Sequence, residues 1–533
     1  LRDALGERPA RGRDMLRRPN SLGPLLPLRH ARLLSALTRG SVPPPPRSPS
    51  HTVGRSQVLV RSFRASKPAE IGPFVAGIGI AVAVWSTRLL LQAASSEKFQ
   101  EAMRDGEPEK KPEATQRAGP SKAASGKPAS YFTTDVMGVD LGQGPKEWSS
   151  ACVAVVEDGE TRVVESAQGQ RHTPSLIVFQ DNGELVGQPA LRLLFSRTDT
   201  AVHGHQLLLG VPFDSAECEE VARVLPLELT PDAEGNAAVL VHGVTHSAPD
   251  LSARLLAQLK GNAETALGGR SVLSAVVGVP VDATPAVRAA LSAAGTRAGL
   301  QRVELLAEPV AAVIGAGREL PEVAAMRTLG VYALGGRSFS FSVLRRLDAA
   351  DAPPPQSGWE VVAARGERLL GSEAFDDAVV AHLVESFHAS ESIDLTTDNL
   401  AMHRLHEAAE RAKSELCSEV VSKISLPFIS ADASGPKHLE LSLGRAKFEQ
   451  LIAAHLERTL PLCESALSAA KMRATELDAV LLVHGSARAP AVQRLVRQLC
   501  GKEPLRLARP EESVAIGAAA HAEALQAAQY QTA

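Results

Sequence analysis

Three glycine-containing turns in this sequence each follow a short apolar run that is typical of a β-strand. The turns are Asp140-Leu141-Gly142, Gly335-Gly336 and Gly485-Ser486. Backbone amides in such turns face anions, and an aspartate at a strand end can hold a hydrated cation beside them. One such turn is a weak signal, but three in one chain indicate a site for phosphate groups.

The elements around these turns predict a mixed α/β domain. Residues 151–165 contain two alternating apolar segments joined by Asp158-Gly159, which is a strong signal for a β-hairpin. Residues 329–344 repeat this pattern around Gly335-Gly336. A helical run at 491–500 follows the third turn. Strands must therefore position all three turns.

Further motifs follow one another along the folded part of the chain. They are residues 169–175 (GQRHTPS), 186–190 (VGQPA), 276–280 (VVGVP), 293–300 (AAGTRAGL), 308–312 (EPVAA), 370–376 (LGSEAFD), 410–416 (ERAKSEL) and 510–519 (PEESVAIGAA). Their types and order resemble the seventy-kilodalton heat-shock chaperones of the DnaK type, from about Met137 to Leu525.

This resemblance implies a two-lobed, actin-like ATPase fold of the ribonuclease H-like kind, in which the lobes close over a nucleotide. We expect this nucleotide-binding domain to span residues 131–533. We expect no counterpart of the family's peptide-binding domain after it. The chain is therefore similar to short, atypical members of the family.

The resemblance implies two groups of site residues. Asp140 and Glu308 match the family's catalytic carboxylates. The residues implied for binding ATP or ADP are Gly142, Gly335, Gly336, Ser338, Glu410, Lys413, Gly485, Ser486 and Arg488. No side chain is expected to ligate a metal directly, and Asp140 would hold Mg²⁺ through water if the ion binds.

Three positions where active relatives carry charged groups hold other residues here. Leu191 replaces a lysine beside the γ-phosphate, and Ala333 and Ser340 replace two aspartates that support Mg²⁺. Loss of one preorganised charged group typically costs roughly 3–4 kcal/mol of transition-state stabilisation. The sequence therefore predicts a degenerate site that is not an efficient ATPase, unless Lys146 or Arg337 serves as a replacement cation.

On the adenine side the match to the family is closer. Glu410 and Lys413 stand one turn apart on a predicted helix, and Arg488 can stack on a base. His484, however, occupies a glycine position of the family, and its bulk would hinder close approach of the backbone. We therefore expect nucleotide binding to persist more readily than hydrolysis.

The N-terminal part of the chain differs in composition from the rest. Residues 15–69 contain no Asp or Glu and are rich in Arg and Ser, which makes 1–70 similar to an organellar transit peptide. An uncharged run at 71–87 predicts a single transmembrane helix over 71–92, and the polar 93–130 predict a flexible linker. These features favour the mitochondrial inner membrane. The alternatives are a plastid location, a solvated basic tail and a buried core helix.

Composition excludes several other classes of protein. The 533 residues include 57 Lys and Arg and 60 Asp and Glu, a net charge of −3, so no global basic surface exists for nucleic acid. Five dispersed cysteines without a Cys-x-x-Cys pattern exclude a disulfide framework and a zinc ribbon. His203-Gly204-His205 has no third ligand nearby and is predicted to be a surface loop.

Three functions are consistent with these observations. The first is a membrane-anchored heat-shock-70-like domain that binds ATP, hydrolyses little or none, and acts as a chaperone, co-chaperone or assembly partner. The second is a nucleotide-free structural subunit of a mitochondrial membrane complex. The third, a sugar-kinase-like phosphotransferase on the same fold, ranks last because Ala333 and Ser340 remove its natural bases. The partners expected are proteins, and the membrane through residues 71–92.

Overall fold

The structure is a computed structural model, and it describes residues 135–146, 149–194, 196–225, 227–347 and 358–532. These residues belong to one compact unit, Lys122–Ala533. The predicted presequence, transmembrane segment and linker all lie outside the described residues. Among the helices that the structure does describe, none combines the length and apolar character needed to cross a bilayer.

The described residues form eighteen β-strands. In chain order they are β1 (Asp135–Asp140), β2 (Ala151–Glu157), β3 (Glu160–Val163), β4 (His172–Thr173), β5 (Leu176–Gln180), β6 (Gly183–Val186), β7 (Ala201–His203), β8 (Leu229–Pro231), β9 (Ala237–Val241), β10 (Val244–Ser247), β11 (Val272–Val279), β12 (Arg302–Ala307), β13 (Thr328–Leu334), β14 (Ser338–Arg346), β15 (Trp359–Arg368), β16 (Val421–Asp432), β17 (Gly435–Gly444) and β18 (Ala479–Val483).

Within the same ranges there are eleven α-helices and four short 3-10 helices. The α-helices are α1 (Gln188–Leu191), α2 (Ala216–Val224), α3 (Ala248–Ala266), α4 (Pro285–Arg297), α5 (Glu308–Glu319), α6 (Glu373–Glu391), α7 (Asn399–Ser418), α8 (Arg445–Glu457), α9 (Thr459–Ala469), α10 (Pro490–Cys500) and α11 (Ser513–Thr532). The 3-10 helices are His205–Leu208, Pro321–Ala325, Ala474–Glu476 and Gly485–Arg488.

Two central sheets repeat one arrangement of strands. The first has the order β12-β11-β1-β2-β3, with β4 beside β2, and the second has the order β15-β14-β13-β18. In each, a strand that starts an antiparallel hairpin (β1 or β13) pairs in parallel with a later strand (β11 or β18). The glycine turns that follow β1 and β13 therefore stand at equivalent positions. We call the parts built on these sheets the first and second lobes.

The helices α5 and α11 pack together between the lobes, and glycines allow their close contact. A Cβ on Gly517 of α11 would overlap the Ala311 carbonyl, and one on Gly315 of α5 would overlap the Ser513 carbonyl. The surrounding apolar core combines residues of both lobes with α11. This helix pair is therefore the base on which the two lobes are assembled.

Both predicted hairpins are confirmed. β2 and β3 pair through Asp158-Gly159, whose φ angles of 53° and 82° are those that a two-residue hairpin turn requires. β13 and β14 pair on either side of Gly335-Gly336. The predicted helix at 491–500 corresponds to α10. The mixed α/β class follows from these local signals.

The prediction of a surface loop at His203-Gly204-His205 is wrong. His205 is fully buried, and burial lowers its pKa to about 3. Burial, with the positive charges of Arg337 and Lys146, also lowers the pKa of His203 to about 3. Both imidazoles are therefore neutral at physiological pH. In the part of the chain that the structure describes, no group of three or more His, Cys, Asp or Glu could hold a metal ion.

Candidate functional site

The turn after β1 folds back onto its own chain. The amide of Gly142 donates to the Asp140 carboxylate at 3.0 Å, and the amides of Gln143 and Gly144 both donate to the Ser149 carbonyl, at 2.7 and 2.9 Å. Gly142 has a φ of 55°, a left-handed conformation that favours glycine. The amides of the first predicted phosphate turn are thus satisfied within the loop.

The turn after β13 lies directly against the first one. The Gly335 amide donates to the Ser338 carbonyl at 2.9 Å and closes this turn. A Cβ on Gly336 would overlap that of Ser149, and a Cβ on Gly371 would overlap the backbone of Gly336. Glycine is therefore required where the two turns meet.

An inner cavity of about 110 Å³ lies beside both turns. The predicted site residues that line it are Asp140, Gly142, Glu308, Gly335, Gly336 and Ser338. Pockets for drug-sized ligands usually have volumes of about 300–1,000 Å³. The inner cavity alone is therefore smaller than a typical pocket for a ligand of that size.

Burial dominates the electrostatics of the inner cavity. Glu308 is the first residue of α5, and burial, together with the negative charges of Asp140 and Asp282, raises its pKa to about 8. Burial also lowers the pKa of His484, against the opposing charges of Asp140 and Glu511. At neutral pH the cavity therefore contains a protonated carboxyl group and a neutral imidazole beside Asp140.

The three substituted positions bring no charge to this cavity. Ser340 of β14 lines it, and its pairing partner on β13 is Ala333. Leu191 ends α1 and packs against an apolar cluster that contains Leu176 and Val178. The strand pair and α1 therefore supply neither a carboxylate nor an ammonium group there.

Lys146 and Arg337, the two predicted replacement cations, are engaged elsewhere. The Lys146 ammonium lies 2.8 Å from the Asp376 carboxylate, and the Arg337 guanidinium lies 2.7 Å from the Glu373 carboxylate. Both cations line a side cavity of about 470 Å³ rather than the inner cavity. This geometry therefore supports neither Lys146 nor Arg337 as a replacement for the family's lysine at the position of Leu191.

On the adenine side, Lys413 of α7 is buried in an ion cluster. Its ammonium lies 2.8 and 2.9 Å from the two carboxylate oxygens of Asp376. Burial by itself would raise the pKa of Asp376, but the charges of Lys413 and Lys146 lower it overall. One buried carboxylate therefore binds two ammonium groups, one from each lobe. Glu410 is half-buried one turn before Lys413 on the same helix.

The third glycine turn forms the short helix Gly485–Arg488, in which Gly485 and Ser486 are buried. Arg488 contacts Glu511. It also lines a cavity of about 610 Å³, together with Cys417 and Pro510, which we call the clamp cavity. His484 has a φ of 68°, a strained conformation for a residue with a side chain. Its imidazole lines the inner cavity. That its bulk hinders close approach of the backbone to a ligand stays a prediction.

The predicted site residues are thus divided between separate spaces. Both predicted catalytic carboxylates and the first two glycine turns meet at the inner cavity, Arg488 lines the clamp cavity, and Lys413 lies in the ion cluster. Sequence reasoning missed Asp376 as a site residue. The available signal was its place in the motif 370–376, where it is the carboxylate that follows Phe375.

The chain is similar to a known family of proteins. The family model described as Hsp70 protein matches residues 136–532. The matched region covers more than two thirds of the chain and contains every residue of the candidate site. The resemblance noted from the motifs is therefore confirmed, and the chain belongs to the Hsp70 protein family.

Proposed function

We propose that this chain provides an Hsp70-type domain that works through protein partners, as a chaperone, co-chaperone or assembly partner, with little or no ATP hydrolysis. Family membership supports the coarser role, that of a chaperone-like, ATP-binding protein. The observation that carries the finer proposal is the pairing of Ala333 with Ser340, because this strand pair brings no carboxylate to the inner cavity.

The magnitude of the losses supports this proposal. Phosphoryl transfer depends mostly on positioning and on stabilisation of charge by cations and metal. Removal of one such group typically reduces the rate by about 10²–10³-fold, or roughly 3–4 kcal/mol. Leu191, Ala333 and Ser340 together remove three, and the two predicted replacement cations, Lys146 and Arg337, are already paired with carboxylates of α6.

In this conformation the residues present do not fit ATP with Mg²⁺. The Ser149 carbonyl already occupies the amides of Gln143 and Gly144, and the inner cavity measures only about 110 Å³. Asp140 and Glu308 are the matched catalytic carboxylates in that cavity, and Glu308 is protonated at neutral pH because its pKa is about 8. This geometry therefore supports no hydrolytic step.

The occupied amides favour a second candidate, a nucleotide-free structural subunit that uses the fold as a scaffold. In this case the lobes would keep their arrangement without any ligand. The sugar-kinase-like alternative gains no support, because neither Ala333 nor Ser340 supplies a base at the inner cavity.

Release of inorganic phosphate by the purified full chain tests the proposal. With ATP and Mg²⁺, we expect the full chain and its Asp140→Asn variant to release phosphate at the same background rate. Magnesium-dependent release that is lost in Asp140→Asn would overturn the proposal of little or no hydrolysis. In a parallel thermal melt, a higher Tm with millimolar ATP and Mg²⁺ supports nucleotide binding, and an unchanged Tm supports the scaffold.

Membrane anchoring through residues 71–92 and a mitochondrial inner-membrane location belong to the same proposal. They rest on the composition of residues 1–130. Fractionation of cells that carry the full chain tests the location, and alkaline carbonate extraction of the isolated mitochondria tests the anchor. We expect the chain to remain in the membrane pellet and to be released when 71–92 are deleted. Release of the full chain itself would contradict the anchor.

A further inference from the structure

Ser149 occupies the space between the two glycine turns. Its carbonyl accepts hydrogen bonds from the amides of Gln143 and Gly144 at 2.7 and 2.9 Å, and its side chain is buried. A Cβ on Gly144 or on Gly336 would overlap the Ser149 side chain, so the serine fills a cradle that only glycines leave open. Successive amides that converge on one oxygen form the kind of concavity in which turns bind anions.

Lys146 connects the same segment to the second lobe. Its ammonium lies 2.8 Å from Asp376, a completely buried carboxylate that also binds Lys413. Burial by itself would lower the pKa of Lys146, but the charges of Asp376 and Glu373 raise it overall. The ammonium is therefore charged at neutral pH and held within the cleft.

Ser149 and Lys146 line different cavities of the cleft. Ser149 lines the inner cavity of about 110 Å³, and Lys146 lines the side cavity of about 470 Å³. The clamp cavity of about 610 Å³, which contains Arg488, is separate from both. None of these three cavities is lined both by one of the first two glycine turns and by Arg488. In this conformation, none of the three cavities therefore offers a nucleotide contacts with both.

We infer that residues 144–146, Ser149 and Ser150 form an autoinhibitory segment, which fills the phosphate cradle through Ser149 and fastens the two lobes together through Lys146. The lobes are thereby held closed without a nucleotide, and a phosphate-bearing ligand must displace the segment before it binds. The identity of that ligand rests on the proposed function. The closure of the lobes does not rest on the proposed function, because the contacts of Ser149 and Lys146 that produce it all lie within this chain.

Hydrogen exchange of the full chain without nucleotide tests the segment directly. Lys146→Met removes the ammonium and keeps most of the side-chain length. We expect the peptide with the Gln143 and Gly144 amides to exchange about 10- to 100-fold faster after correction for intrinsic rates, because a buried charge-assisted contact is lost. Lys423→Met, on the exposed side of β16, is the matched control and should leave this rate unchanged. Equal rates in Lys146→Met and the parent protein would overturn the inference.

A second variant tests the cradle and keeps the lysine. In Gly336→Ala the added Cβ would overlap Ser149, so the serine must leave the cradle. We expect the same peptide to exchange faster in this variant as well, even though Lys146 and Asp376 are both present. This variant also tests the autoinhibitory segment if Lys146→Met does not fold. Unchanged exchange in Gly336→Ala would show that Ser149 does not protect the turn.

Calorimetry with ATP and Mg²⁺ tests the competition between the segment and a nucleotide. Lys146→Met is expected to bind ATP about 10- to 100-fold more tightly than the parent, because the cost of displacing the segment is removed. Weaker binding would overturn the competition and assign Lys146 to the phosphates instead. If exchange accelerates but neither protein binds ATP, the ATP-binding part of the proposed function fails and the autoinhibitory segment stands.

Discussion

Lys146 and Lys413 bind the same carboxylate, that of Asp376, although they come from different lobes. Asp376 is completely buried, so its charge depends on these two ammonium groups for compensation. A buried charge that loses its partner is strongly destabilising. Because either lysine can compensate Asp376 in the absence of the other, the two contributions to stability are coupled.

A double-mutant cycle measures this coupling. Lys146→Met and Lys413→Met are each expected to reduce the free energy of unfolding by about 1–3 kcal/mol. The double variant should lose more than the sum, by about 0.5–3 kcal/mol, because it leaves Asp376 without a cation. Urea denaturation of the full chain measures these energies. Arg473→Met, which removes an exposed pair with Glu476, should cause no measurable change. Strictly additive losses would show that the lysines act independently.

The buried carboxyl group of Glu308 makes stability depend on pH. Its pKa rises from 4.5 to about 8 on folding. Between these values the folded state binds the proton that the unfolded state has released, so stability falls as the pH rises through this window. Each unit of pKa shift corresponds to about 1.4 kcal/mol.

Glu308→Gln removes this titration. The difference in Tm between the variant and the parent is expected to be smallest near pH 5 and to widen in favour of the variant up to about pH 8. Glu385→Gln, at an exposed position of α6, is the control and should show a constant difference. A constant difference for Glu308→Gln would mean that Glu308 is ionised in the folded protein.

Local signals in the sequence were sufficient to predict the hairpins and their turns. Asp158-Gly159 adopts the positive φ angles that its residue types favour, and Gly335-Gly336 joins β13 to β14 as the alternating pattern predicts. These features depend on neighbouring residues alone. Motif order also assigned Asp140, Glu308 and the first two glycine turns to one site, and these residues line a single cavity in the structure. Their binding and catalytic roles stay predictions.

Contacts between distant residues could not be predicted in the same way. Lys146 and Asp376 are 230 positions apart, and no local pattern records that the lysine reaches across the cleft. The burial of His205 depends likewise on the packing of the first lobe around it rather than on its polar neighbours. Gly144 has a backbone amide, as every residue except proline does, but the sequence does not show that the Ser149 carbonyl accepts from it.

The helix pair between the lobes tolerates no side chain at its closest point. Gly517→Ala places a Cβ into the Ala311 carbonyl, and overpacking of this kind typically costs about 1–3 kcal/mol or more. Gly261→Ala in α3 is the matched control, because its Cβ would meet no atom within 4 Å. The control should raise stability by about 0.5–1 kcal/mol through helix propensity. Equal effects of the two substitutions on the unfolding midpoint would contradict the close packing.

A second contact between the lobes joins Arg368 of β15 to Glu217 of α2. The two side chains are 37% and 44% exposed, compared with 19% and 0% for Lys146 and Asp376. Exposed pairs usually contribute about 0–1 kcal/mol because solvent screens them. The buried contact through Lys146 is therefore expected to dominate closure of the cleft.

Glu217→Gln tests whether the Lys146 contact contributes more to closure of the cleft than the Arg368–Glu217 contact does. We expect it to accelerate exchange of the peptide with the Gln143 and Gly144 amides by no more than about fivefold, and less than Lys146→Met does. Glu219→Gln removes a carboxylate from the same helix, but one that pairs with Arg223 within that helix, so it should leave exchange unchanged. A larger effect from Glu217→Gln than from Lys146→Met would mean that the exposed contact fastens the lobes and that the Lys146 contact only follows their closure.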